Sequence, residues 1–373
     1  MDGTRIEGMC SDRFSGLREL FAKNLESGAD IGASVAVYLD GEPVVDLWGG
    51  HLDVQRTRPW ERDTITNVWS TTKTMTALAA LVLADRGDLD LDAPVYRYWP
   101  EFAAAGKESV KVRHLLSHTA GLPNWEKRIS VADLYDWDKV TSLLARQAPA
   151  WEPGTRSGYH ALTFGYLVGE VVRRVTGRTL GTFFAEELAR PLGADFHIGL
   201  PPEDDHRVAP VISPGGRFGG WLARRLGKTV MGAEQSWTPE WRRAEIPAAN
   251  GHGNARSVAA VQSVLACAGE ARGVRLLSEA GCNRVFEEQS NGKDLVLGMP
   301  IRFGIGYALN PLDLPYPVNP RVCFWGGWGG SFVNVDVDAR MTVAYVMNRM
   351  SGGTMGDERA LGLIVAAYTA LGD

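Results

Sequence analysis

The chain has 373 residues, is 45% apolar and 22% charged, and carries a formal net charge of −5. That length suits two lobes better than one simple core. The acidic balance offers nucleic acid no basic surface, and no apolar run is long enough to span a bilayer, so no integral membrane association is expected.

Residues 13–24, "RFSGLRELFAKN", place Phe14, Leu17, Leu20 and Phe21 on one face and predict a helix. In "GASVAVYLDGEPVVDLWGG" two apolar runs flank Asp40-Gly41, which predicts a β-hairpin. "WSTTKTMTALAALVLAD" predicts a helix from about Ser70 to Asp85, closed near Gly87. "VKVRHLLSHTAGLP" predicts a short helix that stops at Gly121 and Pro123. Helical spacing returns at 161–176 and 180–190, separated by Gly177. Residues 213–245 are rich in Gly and Trp, and Arg217, Arg224, Arg225 and Lys228 occur there without an acid between them. This segment reads as a surface lid with a short helix, or equally as a solvated connection.

The chain then returns to strands: "RFGIGYAL", "RVCFWGG", "SFVNVDVD" and "MTVAYVMN", the last two joined by a turn around Ala339. "DERALGLIVAAYTAL" predicts a final helix. Strands at both termini with helices between them imply an α/β (α+β) lobe from 1–87 and 250–373. A mostly helical lobe, 88–249, is inserted in it.

The opening "MDGTRIEGMCSDRF" has no basic stretch followed by an apolar one, so no secretory signal is expected. Cys10, Cys267, Cys282 and Cys323 lie far apart without a CxxC pair. That usage suits small buried apolar residues in a reducing cytoplasm better than a disulfide scaffold.

Much chemistry is absent. There is no GxSxG, Walker A loop, GxGxxG after a strand, or HExxH. His114 and His118 are spaced i, i+4 but lack a nearby acid or third ligand, so a structural role is preferred to zinc.

Ser70 and Lys73 stand out. At i and i+3 they share a helix face within side-chain reach. At a helix start the free N–H of Ser70 can face a developing oxyanion. The positive end of the helix dipole, and any burial, push the lysine toward its neutral form. A neutral amine can then take the serine proton. The bland alternative is an N-cap serine with a solvated lysine. SxxK is expected about once by chance in a chain this long. A second match, Ser290 to Lys293 in "SNGK", contains Gly292, is not followed by an apolar helix, and reads as a loop.

"WSTTKTMTALAALVLADRGDLDLDAPV" resembles the SxxK helix of the serine β-lactamases and penicillin-binding proteins. "VKVRHLLSHTAGLP", "WEPGTRSGYHALTFGYLVGEVVRRVTG", "NARSVAAVQSVLACAGEARGVRLLS" and "FWGGWGGSF" continue the resemblance in family order, from about residue 33 to 348. The pattern is most similar to the class C-related family VIII carboxylesterases. The resemblance implies a β-lactamase/DD-peptidase-like fold, an antiparallel sheet flanked by helices with an inserted helical lobe. It implies Ser70 as the acylated nucleophile, Lys73 as its activator, and Tyr159 as the residue exchanging protons with serine and leaving group. A tyrosine between two cations is expected to have a lowered pKa. Trp325-Gly326-Gly327 falls where the β-lactamases have Lys-Thr-Gly. The Trp328 N–H is then the second oxyanion donor beside that of Ser70. No metal or organic cofactor is implied.

Two departures point away from β-lactams. Tyr159-His160-Ala161 lacks the Asn of Tyr-x-Asn, and Trp325 replaces the lysine that meets a substrate carboxylate. A lost charge-assisted contact costs about 1.5–3 kcal/mol. The chain also holds twelve tryptophans, of which Trp125, Trp151, Trp221, Trp237, Trp325 and Trp328 fall in segments that can border the cleft. The expectation is a serine carboxylesterase for small to medium apolar or aryl esters. Its rivals are an acyltransferase, an amide or β-lactam hydrolase using the same site, and a non-catalytic scaffold. Neither a monomer nor a homodimer is favoured.

Overall fold

The computed structural model describes residues 5–213, 232–310, 319–353 and 355–372. A nine-stranded antiparallel sheet carries the fold. Its strands are β1 (Ile6–Cys10), β2 (Gly32–Leu39), β3 (Glu42–Gly50), β4 (Ser290–Lys293), β5 (Pro300–Phe303), β6 (Ala308–Leu309), β7 (Val322–Gly326), β8 (Phe332–Asp336) and β9 (Met341–Met347). Their order is β1-β3-β2-β9-β8-β7-β6-β5-β4, so the two ends of the chain meet where β2 pairs with β9.

The β2–β3 hairpin turns on Asp40 and Gly41, both at positive φ (51° and 83°). A two-residue turn of that hand matches the twist of its strands. β2 and β9 are buried along nearly their whole length, which explains their unbroken apolar runs. Helices α1 (Ser15–Glu26), α3 (Ala255–Ala266) and α4 (Glu358–Gly372) pack against this sheet, and α2 (Thr72–Asp85) lies beside the helix Thr163–Thr176. Twelve of the fourteen α2 residues are buried. An amphipathic stripe would not suffice there, and beyond the polar first turns the sequence from Ala77 to Ala84 is apolar on every face.

Three features differ from the sequence reading. "SNGK" is not a loop: Ser290–Lys293 is the edge strand β4, paired with β5. Its pairing is tertiary, and Gly292 accepts a φ of 148° that other residues avoid. The helix Val112–Leu116 ends before Gly121, because the chain turns through His118 at φ 61°. The N-terminal strand β1 was not anticipated; Gly8 interrupts its alternation, at φ 104°. Of the 213–245 segment, 214–231 lies outside the described residues, and with it Arg217, Trp221, Arg224, Arg225 and Lys228. Residues 232–245 form a 3-10 turn, Ala233–Trp237, and a short helix, Pro239–Arg243.

Candidate active site

Ser70 sits where the short strand Ile65–Asn67 passes through a 3-10 turn, Trp69–Thr71, into α2. Trp69, just before it, has φ 48°, a left-handed conformation costly for a bulky residue. The turn is held from both sides. Val68 N–H donates to Gly251 O (2.9 Å), and Gly251 N–H donates to Thr72 Oγ1 (2.9 Å). Ser331 Oγ donates to Val68 O (2.8 Å) and lies 3.0 Å from Thr71 Oγ1. The Trp69 indole packs between Trp241 and Trp328, at centroid distances of 5.7 and 5.0 Å.

Ser70 caps no helix. Its Oγ lies 3.0 Å from Lys73 Nζ and accepts a hydrogen bond from Tyr159 Oη at 2.6 Å. Lys73 is 1% exposed, so it is not a solvated charge. Its Nζ also donates to Ala161 O (2.7 Å) and Ala248 O (2.9 Å). Burial holds its pKa well below the ordinary 10.5.

Tyr159 requires a correction. Its pKa is not lowered between two cations but pushed up by burial, against smaller opposing effects of the Ser70 hydroxyl and the Trp325 indole. Lys73, 4.7 Å from the ring centroid, is the cation on this face, and burial favours its neutral form. The loop bearing Tyr159 is braced by His118: Gly158 N–H donates to His118 O (3.0 Å) and His160 N–H to His118 Nδ1 (3.1 Å). His118 and His160 are buried, and burial lowers both pKa values, that of His160 to about 3. Both imidazoles are therefore neutral.

Trp325, on β7, is 2% exposed and lies behind Tyr159, with centroids 5.3 Å apart. Phe303 and His118 enclose it further, and its Nε1 has no well-formed hydrogen bond among the described residues. Gly326 packs against Gly356 and Phe332, where a side chain would collide. Gly327 abuts the nucleophile turn. A Cβ there would overlap Val68 O and Ser331 Oγ and come within 3.3 Å of Ser70 N. Among the described residues, neither Ser70 N–H nor Trp328 N–H finds a backbone acceptor.

A family model described as beta-lactamase matches residues 17–367. The chain belongs to the β-lactamase family. Among curated members, the "Esterase/beta-lactamase LipL" of Mycobacterium tuberculosis is 36% identical over 369 residues, 93% of this chain and 84% of LipL. A solved family VIII carboxylesterase superposes with a TM-score of 0.93 at 45% identity, over 98% of this chain and 100% of its own. A penicillin-binding protein homologue from Caulobacter crescentus follows this β-lactamase-family chain with a TM-score of 0.89 at 39% identity, over 98% and 100%.

The tryptophans nearest the nucleophile are not all those singled out from sequence. Trp69 and Trp241 were missed, although Trp69 directly precedes Ser70. Trp125 is buried and donates to Val140 O (3.0 Å), and Trp151 packs beneath Gly158. Trp237 is exposed and donates to Val211 O (2.9 Å).

Proposed function

We propose that this protein is a serine carboxylesterase acting through an acyl-enzyme on Ser70. The observation that carries the reading is the set of contacts at Lys73. A neutral amine has two N–H donors and one lone pair. The carbonyls of Ala161 and Ala248 take the two donors, which directs the lone pair at Ser70 Oγ.

Ser70 O–H donates its proton to Lys73 Nζ as Oγ forms a bond to the ester carbonyl carbon. Ser70 N–H and Trp328 N–H hold the oxyanion, and Gly327 permits their close approach. The carbon–oxygen bond to the alcohol then breaks. Tyr159, protonated because it is buried, gives its proton to the leaving alkoxide. Its phenolate forms beside the Lys73 ammonium, which returns the proton. Water repeats the sequence on the acyl-enzyme. Trp325 acts as a wall behind Tyr159.

Ester substrates fit this site better than β-lactams. Trp325 offers no charge to a carboxylate. Arg359, the cation beside the 327–330 turn, is committed to Asp30, Asp357 and the carbonyls of Ala29, Gly329 and Arg349. The four free thiols suit a cytoplasmic setting. Among the described residues no helix is long and apolar enough to cross a membrane.

The test is Ser70→Ala assayed on p-nitrophenyl butyrate, with fluorophosphonate labelling of the native protein. The variant should lose the activity, and the label should map to Ser70. Full activity in the variant, or a label elsewhere, would sink the reading.

A further inference from the structure

We propose that Asp294 is the positioning residue for Tyr159. The inference rests on the esterase reading and adds to it a residue outside the three-residue centre.

Tyr159 lies in an irregular segment, so no sheet ladder or helix fixes its backbone. Three successive amides need acceptors there. His118 supplies those for Gly158 and His160, as described above. The amide of Tyr159 itself donates to Asp294 Oδ1 at 3.1 Å. Asp294 opens the 294–299 loop between β4 and β5 and is completely buried. The same Oδ1 accepts from Val296 N–H (2.9 Å) and Leu297 N–H (2.8 Å). A second link crosses the same gap: Leu295 N–H donates to Ser157 O at 2.9 Å. One oxygen therefore folds the loop and ties that loop to the tyrosine. Oδ2 is buried without a partner among the described residues, so it adds no bond of its own.

The reach to Ser70 follows from this bond. Tyr159 Oη contacts Ser70 Oγ at 2.6 Å, and a phenol displaced from its backbone anchor loses that contact first. A misplacement of about 1 Å costs about 10²-fold in rate. Because the tyrosine serves the leaving group, the loss depends on the alcohol. Ethyl butyrate releases a basic alkoxide that needs a proton, whereas p-nitrophenyl butyrate releases a phenolate that does not.

The experiment compares both esters in the full-length enzyme carrying Asp294→Ala, Asp294→Ser or Asp294→Asn. Asp294→Ser keeps a turn-forming oxygen for Val296 and Leu297 but is too short to reach Tyr159. Asp294→Asn keeps an acceptor oxygen of the same reach. Asp294→Ala and Asp294→Ser should lose about 10²-fold in kcat/KM, which reports acylation, on ethyl butyrate and roughly an order of magnitude less on p-nitrophenyl butyrate. Asp294→Asn should restore the native ratio between the esters. Should Asp294→Ala fail to fold, the Ser and Asn variants carry the comparison. An equal loss on both esters, a native ratio in Asp294→Ser, or no rescue by Asp294→Asn would overturn the proposal. Activity surviving in Ser70→Ala would instead overturn the esterase reading beneath it.

Discussion

Lys73 has three polar contacts at Nζ, all within 3.0 Å, and none is a carboxylate. Burying an unpaired ammonium costs several kcal/mol, so the amine is the stable form. Tyr159 is held in its protonated form by the same burial. In the proposed reaction the pair begins neutral, as base and acid respectively. Two outcomes follow. A lowered lysine pKa means that the neutral base is lost as pH falls through the folded value. The acylation rate should therefore decline on the acid side, with a limb well below 10.5. A p-nitrophenol burst rate that stayed flat into acid would contradict this. Tyr159→Phe should cost about 10²–10⁴-fold on alkyl esters and distinctly less on aryl esters. Equal losses on both classes would remove leaving-group protonation from its role. The pairing of Ser70 with Lys73 was legible from three-residue spacing. The protonation state of Tyr159 was not, because it depends on burial and on which charges surround the ring.

The turn at 327–330 and the turn at 69–71 form one contact in which backbone meets backbone. Gly327 has ordinary φ, so its need for glycine lies in space rather than conformation. Gly327→Ala should lower stability by about 1–3 kcal/mol through overpacking. It should also slow acylation by about 10²-fold, because the Trp328 and Ser70 amides are pushed apart. Burst kinetics with a urea midpoint check both, and a fully active variant would disprove the close approach. At this scale local signals served well where one element suffices. Asp40-Gly41 specifies its own turn, and Gly177, at φ 70°, ends its own helix. They failed where pairing decides. "SNGK" is a strand because Pro300–Phe303 lies beside it, and nothing within four residues says so.

Across the whole molecule, burial extends to groups that titrate. His118, His160 and His252 are 4%, 0% and 0% exposed. Burial lowers all three pKa values, those of His160 and His252 to about 3. Each folded value lies below the unfolded value of about 6.5. The unfolded chain therefore binds more protons in that window, and stability is lost as pH falls from about 6.5 toward about 3. His160 and His252 each withdraw about 1.4 kcal/mol per pH unit there, and His118 acts in the same direction. Urea midpoints should fall steadily below neutrality, and His252→Asn should make the decline shallower. A midpoint constant down to pH 5 would refute the account.

The sequence alone brought Ser70, Lys73 and Tyr159 forward as candidates for the chemistry and marked most of the elements that bear them. Residue type, three-residue spacing, turn residues and apolar runs act within a few positions of the chain. Only the tertiary structure decided how that chemistry is set. β2 meets β9, Tyr159 reaches Ser70 across 89 positions, and Asp294 reaches Tyr159 across 135. Desolvation lowers the pKa of Lys73 and raises that of Tyr159. It belongs to the packed interior, and no local stretch of residues contains it.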